Sequence, residues 1–233
     1  MDHTNSKFDA EFESLRVEAT SMAGLVERQF SRSIKALLDG DLDLVAQVLE
    51  DEAEVNRRHV RTDLHCNKMI ATMQPIAVDL REIIGVLHMN NDFERIGDEA
   101  KKIAKKAREL RGRQLPLSLE RLDTMGRIVS EMLLAAVDAY VRQDVSVADQ
   151  LKKRDKEVDA LRDEVTADLL RAMAESPNVV TECLSLVFVV QSIERVGDHA
   201  KNVAEYVVTV VSGVDPRHPR SMASARKAGG EGG

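Results

Sequence analysis

The sequence predicts an all-α protein, a tandem repeat of two antiparallel three-helix bundles with six long helices in all. Three observations predict it. Of 233 residues, 43% are hydrophobic but only 3% aromatic, with 5 Pro and no Trp, a composition suited to long helices packed through aliphatic side chains. Apolar residues recur at three- and four-residue steps over long stretches, the period of a helix with one buried face. The chain also repeats itself. "ERIGDEAKKIA" (Glu94 to Ala104) returns one hundred positions on as "ERVGDHAKNVA" (Glu194 to Ala204), with Glu, Arg, Gly, Asp, Ala, Lys and Ala in register.

Residues 1–7 are polar and are expected to be disordered. The first bundle is expected over 8–111. Its first helix runs from Phe8 to about Asp39, with Leu15, Met22, Leu25, Val26, Ile34, Leu37 and Leu38 on the apolar face. "DGD" ends it, Gly40 serving as left-handed terminator and Asp41 as the N-cap of a second helix from Leu42 to about Thr72. Pro75 breaks that helix and suits the first turn of a third, which runs to Leu110. "RGRQLPLS" supplies a linker over 112–118, between Gly112 and Pro116.

The second bundle is expected over 119–211 and follows the same plan. Helix four runs from about Leu119 to Arg142, and Asp144 or Ser146 caps helix five, which reaches about Ala174. "AESPNVV" mirrors "TMQPIAV", so helix six starts at Pro177 and reaches about Val211. Residues 212–233, rich in Gly, Ser, Pro and Arg, read as a disordered tail. The copies stay in register elsewhere too: "AEVN" (Ala53 to Asn56) matches "KEVD" (Lys156 to Asp159), and Pro75 matches Pro177.

A formal net charge of −7 argues against nucleic-acid binding, which needs basic surface to release counterions. No apolar run approaches the ~18 residues of a membrane span. The N-terminus lacks the basic start and apolar core of a secretion signal, so the cytoplasm is expected. Cys66 and Cys183 lie among apolar helix residues without ligand-type spacing and read as buried free thiols. No glycine-rich phosphate loop, G-x-S-x-G elbow or Cys–His arrangement appears, and no enzymatic activity is expected.

The repeated motif carries the chemistry. Glu94 with Asp98, and Glu194 with Asp198, stand four residues apart, which puts both carboxylates on one helix face. Like charges at that spacing repel by a few tenths of a kcal/mol, so a cation is expected beside them. Asp98 has Lys101 and Lys102 in reach and Asp198 has Lys201, whereas Arg95 and Arg195 point about 100° away from Glu94 and Glu194. The plain reading is a solvated face with intrahelical pairs. The alternative is a bound divalent or iron-type metal ion on hard oxygen ligands, completed by Glu52 on helix two and by Asp155 and Asp159 on helix five. Asn56 stands where the second copy has Asp159, so the second site is the stronger one on this reading. No Glu-x-x-His pair of a di-iron bundle is present, and His199 is read as surface, with a ligand role beside Asp198 as the alternative. Gly97 and Gly197 cost about 1 kcal/mol each inside a helix, which suggests close helix approach.

"ERIGD" and "ERVGD", "QPIAVDLR" (Gln74 to Arg81), the "EVN" and "EVD" pair and "GVDPRH" (Gly213 to His218) together resemble the PhoU family, over about Phe8 to His218. The resemblance implies two three-helix bundles side by side and no catalysis. It implies a negative regulator of phosphate-starvation signalling that couples a phosphate transporter to a sensor histidine kinase and modulates phosphate uptake. The implied partners are the transporter's ATPase subunit and the phosphate-sensing kinase. A homodimer is expected, with the membrane reached only through partners. Some relatives bind multinuclear metal clusters, which by position implicates Glu94, Asp98, Glu194 and Asp198, with Glu52, Asp155 and Asp159 completing the sites. The competing function is a metal-binding helical protein whose role is structural.

Overall fold

A computed structural model describes residues 2–214 and 216, with side chains from Lys7 onward. Six α-helices appear in the expected order: α1 (Asp2–Asp39), α2 (Leu42–Met73), α3 (Ala77–Leu110), α4 (Glu120–Arg142), α5 (Val147–Glu175) and α6 (Val180–Ser212). Among the described residues there is no strand. Helices α1, α2 and α3 pack as one bundle and α4, α5 and α6 as the other, with α3 lying along α6 and α1 touching α4.

Local chemistry explains most boundaries. Gly40 takes the left-handed conformation (φ 65°) that closes α1. Asp41 Oδ1 then accepts from the backbone N–H groups of Asp43 (2.8 Å) and Leu44 (3.2 Å), satisfying two free donors of α2. At the far end, Gly213 (φ 72°) donates its N–H to the Thr209 carbonyl (2.9 Å) and stops α6.

Four expectations are corrected. Helix α1 begins at Asp2, six residues before the expected start at Phe8. Phe8 stacks on Phe12 (5.5 Å), Phe12 is buried and the Arg16 guanidinium covers its ring (4.8 Å), which anchors the first turns. Pro75 does not start α3. Gln74 (φ 49°) and Ala77 (φ 48°) are both left-handed, and the helix begins only after that corner. In the second copy Pro177 opens a 3₁₀ turn over Pro177–Val179 instead of α6 itself. Ser146 stands at the N-cap position of α5 but makes no capping bond with its side chain; Asp144 Oδ1 accepts from the Ser146 N–H (2.9 Å), which shapes the turn before it. The disordered tail expected over 212–233 lies outside the described residues apart from Ser212, Gly213, Val214 and Pro216, as do Asp215, Arg217 and His218 of "GVDPRH".

One hydrophobic core runs through both bundles, from Leu15, Val26 and Phe30 on α1 to Leu186, Val190 and Val203 on α6. Leu115 and Leu117 of the linker pack against it, so the connection between the bundles is docked onto them. Cys66 and Cys183 are free and buried, and burial pushes the Cys66 thiol up to about 12, which makes it a poor nucleophile at neutral pH. Gly97 allows close approach, as expected. A Cβ there would stand 3.0 Å from Gln29 Oε1 and 3.2 Å from Glu52 Oε2. A Cβ on Gly197 would meet Val129 at 3.4 Å, an ordinary contact, so the close-approach reading holds for the first copy only.

Candidate functional site

The repeated motif lies on α3 and α6, the helices that form both the inner wall of each bundle and the contact between bundles. Each copy therefore has an acidic seam toward its own middle helix and a second face toward the other bundle.

In the first seam Glu52 is buried on α2 and is the centre of the cluster. Its Oε1 accepts from Lys101 Nζ (3.1 Å) and Asn56 Nδ2 (3.1 Å), and its Oε2 from Gln29 Nε2 (3.1 Å). Lys101 also reaches Asp98 (3.3 Å), which links α2 to α3. Glu94 pairs along its own helix with Arg95 (3.5 Å), so that arginine bends back toward the carboxylate it was expected to point away from. Gln29 was not singled out by sequence. Nothing in its local pattern separates a buried amide from a surface one.

The second seam repeats the device with different residues. Lys201 Nζ binds Asp155 (2.5 Å) and Asp198 (2.6 Å), joining α5 to α6. Arg162 binds Asp159 (2.7 Å) and Glu194 (2.6 Å) one turn away. Burial works against the charge on Lys201, but the hydrogen bonds to Asp155 and Asp198 outweigh it and hold the ammonium above its usual range. Lys101 is raised for the same reason, through Glu52 and then Asp98. Glu194 is also held above the usual carboxylate range, first by burial and then by the neighbouring Asp198, against the pull of Arg162.

The seven carboxylates thus lie on the two expected seams, but a lysine occupies the middle of each. Among the described residues no three of His, Cys, Asp and Glu converge as a ligand set. As arranged, an ammonium lies between the carboxylates of each seam, Lys101 between Glu52 and Asp98 and Lys201 between Asp155 and Asp198.

The residues of the contact between bundles were not anticipated. His199, read as surface, is largely buried, and its Nδ1 lies 2.6 Å from Asp92 Oδ1 on α3. Asn202 Nδ2 adds a bond to the same oxygen (3.4 Å). The position of Asp92 in the first copy corresponds to Ser192 in the second, and that of His199 to Glu99. All four lie along this crossing, with Arg195 reaching Glu99 across it (3.5 Å). The duplicated helices cross about a pseudo-twofold axis, and position-matching of the copies was the one signal that could have pointed to these residues. Close by, a Cβ on Gly85 would stand 2.6 Å from Val210 Cγ2, so the helices meet there at a distance only glycine permits.

Among the described residues no helix is long and apolar enough to cross a membrane. The model of the PhoU domain matches the chain twice, over residues 19–107 and 122–207, one match per bundle. The chain is 36% identical over 217 residues to the phosphate-specific transport system accessory protein PhoU homolog of Pseudomonas aeruginosa, covering 93% of this chain and 90% of that protein. It is 36% identical over 216 residues to the phosphate-specific transport system accessory protein PhoU of Escherichia coli K12, with the same coverage of 93% and 90%. The crystal structure of PhoU from Pseudomonas aeruginosa superposes with a TM-score of 0.85 at 36% identity, over 88% of this chain and 99% of that one. A Streptococcus pneumoniae PhoU structure shares the fold at 24% identity, with a TM-score of 0.82 over 89% of this chain and 98% of its own. The double domain match, together with relatives aligned over nearly their whole length, places this chain in the PhoU family.

Proposed function

We propose that this protein is a cytoplasmic adaptor that represses phosphate-starvation signalling, coupling a phosphate transporter to a sensor histidine kinase and modulating uptake. The observation that carries it is the alignment, over 93% of the chain, with proteins named accessory to phosphate-specific transport. The structure is consistent with a binding role. It offers long exposed helix faces for partner helices, and a continuous core that keeps them in fixed relation. The ATPase subunit of the transporter and the kinase are the proposed partners, and the chain acts as a homodimer. Repression arises if it binds one state of the transporter or kinase more tightly than the other. Deleting the gene in its host tests this. Phosphate-scavenging genes should switch on in rich phosphate; continued repression would refute the reading.

Divalent cation binding along the seams is the second reading. What favours it is that Glu194 and Asp198 share one face of α6 with Asp159 and Asp155 of α5 linked to them through Arg162 and Lys201. An ion there would have to displace Lys201 from Asp155 and Asp198. Elemental analysis of protein purified without chelator decides it, using a Glu94→Ala, Asp98→Ala, Glu194→Ala, Asp198→Ala variant for comparison. Equal metal content in the two proteins would remove this reading.

A further inference from the structure

The pseudo-twofold crossing of α3 and α6 creates two equivalent clefts, and they are furnished differently. In one, His88 on α3 is covered by Tyr206 on α6, ring against ring, with centroids 5.0 Å apart and planes 15° from parallel. The equivalent positions in the other cleft are Phe188 and Lys106. There the Lys106 ammonium stands 5.4 Å from the ring centroid and Phe188 remains 55% exposed. One cleft is closed by its own side chains and the other is open.

The open cleft encloses about 390 Å³ and is lined by Lys102, Lys106, Phe188, Gln191, Ser192 and Arg195. Three cations line it and no carboxylate does, on a chain whose formal net charge is −7. Lys102 (2.8 Å) and Arg195 (3.5 Å) share a single buried oxygen of Glu99, so one anion serves two cations. Lys106 is held by Glu109 at the rim (2.7 Å). Leu184, 47% exposed and one turn before Phe188, extends the apolar side of the cleft along α6. A large exposed ring beside three cations that share two carboxylates matches the aromatic and arginine anchors that dominate binding at protein interfaces. A second copy of the chain suits it poorly, because its acidic seams are already engaged by Lys101, Lys201 and Arg162.

We propose that this cleft docks an acidic segment of a partner protein, whose carboxylates meet Lys102, Lys106 and Arg195 and whose apolar side chain packs on Phe188. The proposal rests on the adaptor reading above and specifies the surface that reading leaves open. The positive cleft steers the segment in, and the ring fixes it.

The test is calorimetric titration of the intact chain with the purified ATPase subunit of the host's phosphate transporter, and separately with the cytoplasmic region of its phosphate-sensing kinase. Phe188→Ser replaces an exposed group and Lys106→Glu one whose side chain is 27% exposed, and a thermal melt confirms that each variant is folded. Each should weaken binding to at least one of the two proteins by tenfold or more, and Lys106→Glu should also flatten its salt dependence. Val60→Ser, at an exposed position on α2, should bind as the unaltered chain does. Full affinity in both cleft variants overturns the proposal and leaves the adaptor reading intact. Loss in Lys106→Glu but not in Phe188→Ser marks a bare charge patch and also overturns it. Failure of the unaltered chain to bind either protein overturns the adaptor reading, and the docking site with it.

Discussion

Asp92 on α3 and His199 on α6 face each other across the two bundles with 2.6 Å between Oδ1 and Nδ1. Asp92 is nine-tenths buried and also accepts from Asn202, so removing its carboxylate strands two donors in the bundle interface. Asp92→Ala should lower unfolding stability by about 1–3 kcal/mol, read from urea denaturation. Asp92→Asn keeps an acceptor oxygen and should cost less than the alanine change.

The repeated glycines should respond oppositely to the same substitution. In Gly97→Ala the new methyl lands 3.0–3.2 Å from Gln29, Val55 and Glu52, all buried, and overpacking should cost about 1–3 kcal/mol. In Gly197→Ala it meets Val129 at an ordinary 3.4 Å, and the gain in helix propensity should leave the protein unchanged or more stable by up to about 1 kcal/mol. Paired thermal melts compare them directly.

Lys201 holds Asp155, itself mostly buried, to Asp198. Lys201→Met should destabilise the second bundle by about 1–3 kcal/mol at neutral pH. Because the folded state raises the lysine above its unfolded value, its contribution is whole below about pH 10.4 and fades as the pH climbs toward the folded value. The stability gap between the unaltered protein and Lys201→Met should therefore narrow on the alkaline side and stay constant below it.

His65 on α2 lies between Glu11 (3.0 Å) and Glu18 (3.3 Å) of α1, and the Lys68 ammonium lies 3.6 Å from Glu11. The hydrogen bond from His65, and then the charge of Lys68, hold the Glu11 carboxyl below its usual range. His65→Ala should move the Glu11 titration, followed by carboxyl NMR, back up toward its ordinary value. The stabilisation tied to Glu11 is present above the unfolded carboxylate pKa and is lost as the pH falls through the lower folded value.

Helix content and most helix ends were readable because their causes are local. Gly40, Asp41 and Gly213 act within four residues of themselves. The start of α3 was not readable, since nothing in "MQPIA" announces that Ala77 takes φ 48°. The acidic faces were legible from spacing, as was the i,i+3 lysine beside Asp98 or Asp198. The reach of the same lysines to Glu52 and Asp155 on neighbouring helices was not, because it depends on packing. The periodicity of one helix shows that it has an apolar face but not that a second face meets another bundle, which is why His199 read as surface.

The pairing of α3 with α6 also bears on where such a chain comes from. A lone three-helix unit would leave open the face of α3 that meets α6, with Gly85, His88 and Asp92 on it, and a second copy of itself would cover that face. Joining two copies through the docked segment 112–118 turns that dimer into a contact within one chain, at an effective concentration of order millimolar. Once both copies are held on one chain they no longer need to stay identical. One cleft could be sealed by His88 and Tyr206 while the other kept Phe188 exposed.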